Sequence, residues 1–184
     1  MQIALTLSVV TWLGIVSWFD IRKREIPHSA WVVIPFIAAL IFRTWQGGWQ
    51  LMALAILVAI ISERSRLAEW SHLPLDGWSF WIPLIVLFSY WGVQVSPVGA
   101  LAILGFWGAW ELRLWGGADA VAAIVLALLW PDQFLVLALL AVHLVAVVVA
   151  TLISLVQEHR LRLHVLPGLP LLFVTVLAYT LLKP

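Results

Sequence analysis

Eight apolar runs, separated by short polar joints, account for most of this chain and leave it few ways to fold. They cover approximately residues 2–19, 28–46, 48–62, 78–93, 96–111, 117–131, 133–156 and 167–183. A helix rises about 1.5 Å per residue and a bilayer's hydrocarbon core is about 30 Å thick, so about twenty apolar residues cross it. Several runs are shorter, which a bilayer accommodates by thinning locally or by letting a helix begin inside it. Backbone polar groups in lipid must be satisfied within each segment, which favours helices. The expected fold is all-α: a polytopic transmembrane helical bundle of about eight helices, forming one integral domain over residues 1–184.

Only 10% of the residues are charged and 64% are hydrophobic, whereas soluble domains carry about 25% charge. The formal net charge of +1 gives no general attraction for nucleic acid, and no basic stripe with interleaved aromatics stands outside the joints. The chain has no Cys, so disulfides, thiolate-bound zinc, iron–sulfur clusters and thiol nucleophiles are excluded. The first run, "QIALTLSVVTWLGIVSWF", has no basic stretch before it and no A-x-A-like site after it. It reads as a retained helix, not a cleaved signal. The longest polar joint, "ERSRLAEWSHLPLDG" at 63–77, is too short to bury a core of its own.

Lys and Arg accumulate in cytoplasmic loops. With the N-terminus outside, Arg22, Lys23, Arg24, Arg64, Arg66, Arg113, Arg160 and Arg162 fall on the cytoplasmic side, and only Arg43 and Lys183 fall outside. The eight-run parity thus gains support from a signal independent of hydropathy. Trp12, Trp18, Trp31, Trp45, Trp49, Trp78, Trp91, Trp110 and Trp115 lie mostly near the ends of runs, as interfacial anchors do.

A carboxylate in or beside a bilayer is costly, so each acid needs a place. Glu63, Glu69, Asp76, Glu111 and Glu158 fall in or next to cytoplasmic joints, and Asp132 in an outer turn. These read as solvated charge, and Glu25 is similar. Asp20 and Asp119 differ. Topology puts Asp20 at the cytoplasmic end of the first run and Asp119 at the cytoplasmic start of the sixth, at one membrane depth. Gly116 and Gly117 remove side chains just before Asp119 and allow close approach. Two carboxylates a few ångströms apart do not both ionise readily, so they share a proton. The ionised member can then activate a water while the protonated one polarises a peptide carbonyl. That chemistry needs no metal or cofactor.

Asp20 followed by "IP" at 26–27, then "GGAD" at 116–119 and a last run introduced by "PGLP", resembles the type IV prepilin peptidases and archaeal preflagellin peptidases. These are membrane aspartic peptidases with a G-x-G-D element. The resemblance spans most of the chain, but its specificity resides in three short pieces. It implies that Asp20 and Asp119 are the catalytic pair, with Pro27, Gly116, Gly117 and Ala118 as motif support. It also implies an inner-membrane location in a prokaryote, with the site facing the cytoplasm. The implied substrates are type IV pilin-like or pseudopilin precursors, cleaved at their leader. Ala118 stands for the family's second glycine, His28 where Asn is frequent, and Val121 where many members carry Lys. The cysteine-containing domain that methylates the new N-terminus in many bacterial members has no counterpart between Asp20 and the second run, so a peptidase without methyltransferase activity is expected.

Pro27, Pro167 and Pro170 read as helix starts. His28, His72, His159 and His164 are spread one or two to a joint, without the spacing of a zinc site. His143, in the middle of the seventh run, reads as a buried hydrogen-bonding residue. Two other functions compete with peptidase: an inactive assembly or scaffold protein, motivated by Ala118 and Val121, and a proton-coupled transporter. The transporter ranks last, because the acids gather on one face.

Overall fold

The computed structural model of the protein describes residues 2–23, 29–72, 77–158 and 168–182. Among these the chain is helical and contains no strand. Each apolar run is helical: α1 (Gln2–Lys23), α2 (Ile34–Trp45), α3 (Trp49–Ser62), and, after a short α4 (Arg64–Ser71), α5 (Trp78–Val95), α6 (Pro97–Glu111), α7 (Gly117–Leu129), α8 (Gln133–Glu158) and α9 (Gly168–Leu182). Two stretches, Ile3–Arg22 and Trp78–Val95, are long and apolar enough to cross a membrane by themselves, and shorter apolar stretches include Trp31–Trp45, Trp49–Ser62, Gly117–Leu129, Gln133–Ala146 and Gly168–Leu182.

Three local features depart from the sequence expectation. The polar joint at 63–77 contains α4, whose residues are none of them buried; it has a helix but no core. The second run opens with a π-helical turn, Ser29–Val33, before α2. The first helix does not stop at Phe19 but continues to Lys23. Its last turn carries Arg22, a cation that suits the negative end of a helix dipole. The Arg22 guanidinium lies 4.9 Å from the Trp18 ring one turn earlier, a cation–π contact that also favours helix there.

The core forms around α7. Its residues Ala122 to Leu129 are buried without interruption, so neighbours cover it on all sides. Alanines at 120, 122, 123 and 127 give it a thin body that others approach closely. It packs against α6, α2 and α9. On one side α9 joins α7 to α1 and α8; on the other, α3, α5 and α6 pack together. Close approaches need small residues. Gly14 of α1 lies under the Phe173 ring of α9, and Gly92 of α5 faces Leu51, Leu54 and Ala100.

Joints are capped where polar residues allow. Ser96 Oγ accepts from the Gly99 amide at 3.3 Å and Pro97 begins α6, a favoured helix start. Asp132, read from sequence as solvated loop charge, accepts from the Phe134 amide at 2.8 Å as α8 begins. Where α3, α4, α5 and α6 meet, Arg64 bonds Glu111 at 3.1 Å and lies 4.5 Å from the Trp78 ring. Outward faces are strongly apolar, with Ile37 and Ile41 on α2, Ile82 and Val86 on α5, and Leu137 and Leu144 on α8 all exposed.

Candidate active site

Asp20 reaches the site from α1. Val9, Leu13 and Val16 are buried at helical spacing, and Asp20, four residues beyond Val16, continues that face. The packing that buries α1 against α9 therefore also turns Asp20 inward. It is half-buried.

Asp119 is the third residue of α7, and Gly116 is the N-cap, with an extended backbone at φ −68°, ψ 148°. The Asp119 carboxylate reaches back to the Gly116 amide, the acid half of a capping box. The amides of Gly168 and Leu169, the first two residues of α9, are directed at the same carboxylate. Two helix N-termini thus converge on one side chain, and their free N–H groups present partial positive charge to it. Gly168 permits this approach. A Cβ there would lie 2.5 Å from Asp119 Cγ and 2.7 Å from Oδ2, closer than real side chains come. Gly116 is nearly as tight, with a Cβ position 3.0 Å from Oδ2.

Asp20 stands close enough for its charge to act on Asp119. The two acids, far apart in sequence, are brought together through α9, which packs on both α1 and α7. Two partly buried carboxyls whose charges act on each other do not both ionise readily. Such a pair can serve general acid and general base chemistry.

The supporting positions divide into two faces. Gly117, Val121 and Ile124 share the other side of α7 and line a cavity of about 280 Å³. Its walls include Val33 and Phe36 near the start of α2 and Val58 of α3, with Glu63 the one acid among them. Val121 thus contributes apolar wall where the resembling family often has Lys. The Trp110 indole covers Gly117, with Nε1 3.1 Å from where a Cβ would stand. Ala118 is half-buried between Gly117 and Asp119. Pro27 lies outside the described residues, as do Arg24, Glu25, His28, Asp76, His159, Arg160, Arg162, His164, Pro167 and Lys183.

Two elements of the site were not assigned from sequence. Gly168 was part of a helix-initiating "PGLP"; its signal is a glycine placed between two prolines where a helix starts. Trp115 was grouped with the interfacial tryptophans, yet it stacks on Phe106, with centroids 5.3 Å apart and planes at 12°. Its ring also lies 4.3 Å from that of His143. By contrast Trp45, Trp18 and Trp49 are exposed, as anchors would be.

No family model, curated protein or solved structure matches the chain.

Proposed function

We propose that the protein is an aspartic endopeptidase of the membrane surface, with Asp20 and Asp119 as its catalytic pair. It removes the leader from type IV pilin-like or pseudopilin precursors at the cytoplasmic face of a prokaryotic inner membrane, without methylating the product. The observation that carries this reading is the meeting of the starts of α7 and α9 at the Asp119 carboxyl, which fills the Cβ space of Gly168 within reach of the Asp20 charge. The three-piece motif resemblance supports it, and so do the outward apolar faces, which suit a bundle of eight membrane-crossing helices.

In this mechanism the pair shares one proton. The ionised carboxylate takes a proton from water as the oxygen attacks the scissile carbonyl, and the protonated carboxyl donates to the carbonyl oxygen. Collapse of the tetrahedral intermediate breaks the C–N bond, and the proton taken from water passes to the leaving amine. The backbone donors around Asp119 hold it in place while its charge changes, which limits reorganisation. The cavity lined by Gly117, Val121 and Ile124, on the other side of α7, offers apolar wall for a hydrophobic part of the substrate.

The test is cleavage of a co-expressed pilin-like precursor. Asp20→Asn and Asp119→Asn should each abolish processing while the protein still accumulates in the membrane. Full processing by either variant would remove the catalytic role. A second reading, an assembly protein that keeps the fold without cleaving, is favoured by Ala118 and by the apolar Val121 in the cavity wall. It requires that the variant lacking both acids still support assembly.

A further inference from the structure

We infer that His143 is a positioning residue for Asp119, braced between the two backbone segments that hold the Asp119 carboxylate. The inference rests on the reading of Asp119 as a reacting group. His143 is buried within α8, far along the chain from either acid. Its ring packs on Trp115 at 4.3 Å, and Trp115 immediately precedes Gly116, whose amide is directed at Asp119. The helix that carries the ring packs on α9, at whose first residue, Gly168, the Asp119 carboxyl fills the Cβ space. The imidazole thus packs on the turn before α7 from a helix that also packs on α9.

The polarity of the ring is not explained by packing alone. Nδ1 lies 2.7 Å from the Leu139 carbonyl, which can only accept, so Nδ1 carries hydrogen. Nε2 is buried and closes no hydrogen bond of good geometry. A leucine would fill such a place without leaving a buried polar atom unsatisfied. The Leu139 bond fixes the ring's rotation, and the fixed ring sets how near Gly168 and Trp115 stand to each other. The Asp119 carboxyl lies against the Cβ positions of Gly168 and of Gly116, the residue after Trp115. Small displacements there matter, because a shift of about 1 Å at reacting groups can cost about a hundredfold in rate.

The experiment compares wild type with His143→Leu, His143→Asn and His143→Gln in detergent or nanodiscs, using a pilin-like precursor as substrate. His143→Leu should lower kcat about tenfold or more while KM stays within about twofold. Gln or Asn, which can donate to the Leu139 carbonyl, should recover part of kcat. An activity-independent readout is hydrogen exchange at the Gly168 and Leu169 amides, expected to quicken about tenfold in His143→Leu and to quicken in Asp119→Asn as well. Wild-type kcat per folded molecule together with unchanged exchange at both amides would overturn the inference. If His143→Leu does not fold, the same comparison is read from His143→Met, which also lacks a donor for the Leu139 carbonyl, and wild-type values there overturn it. A wild type that leaves the precursor uncut counts against the proposed function, and the exchange rates then decide the role of His143 alone.

Discussion

The Asp119 carboxyl occupies the space where a side chain at Gly168 would be, with Cγ 2.5 Å from the missing Cβ position. The start of α9 and the start of α7 therefore share a single small volume, and the reactivity proposed for Asp119 depends on a glycine 49 positions later in the chain.

Gly168→Ala is expected to reduce cleavage about a hundredfold or more, because the added methyl must push either the carboxyl or the start of α9 aside. The cost in stability should be about 1–3 kcal/mol, that of overpacking a tight site. Rates per folded molecule, measured beside thermal melting in detergent, separate the two effects. Near-wild-type cleavage would mean that the proximity is not used.

Ala59→Phe probes the cavity beside Gly117. Ala59 lines it but lies on α3, away from both acids. Filling the cavity should raise KM about tenfold with kcat less affected, the signature of lost substrate binding rather than lost chemistry. Equal KM values for the variant and the wild type would show that substrate does not enter there.

The half-buried Arg64–Glu111 pair, 3.1 Å apart, should couple α4 to α6. Arg64→Met or Glu111→Leu alone leaves the other charge poorly compensated, so the double change should destabilise less than the sum of the two single changes. A coupling energy of about 1–2 kcal/mol is expected from chemical denaturation in mild detergent. A coupling near zero would class the pair with ordinary surface bridges.

The absence of Cys makes orientation directly measurable by single introduced thiols. Ser65→Cys, on the exposed side of α4, should react only with a reagent that crosses the membrane, whereas Gln46→Cys, between α2 and α3, should react with an impermeant one applied from outside. The opposite pattern would reverse the orientation drawn from the positive charges.

The sequence alone determined where the helices lie, because apolar runs bounded by Gly, Pro and charged residues are local properties of the chain. It also singled out Asp20 and Asp119, since acids at the ends of apolar runs stand out against a chain with 10% charge. Boundaries were less legible: α1 continues through Asp20 to Lys23, and α4 forms in a polar joint, since a helix need not end where hydropathy falls. Only the tertiary structure decided which residues surround the acids. The roles of α9 as the bridge between α1 and α7, of Gly168 as the space for a carboxyl, and of Trp115 and His143 behind it depend on how helices are rotated and crossed against one another. Those relations are set by small residues at contacts between helices distant in sequence, and the repeat of apolar positions along any one helix does not encode them.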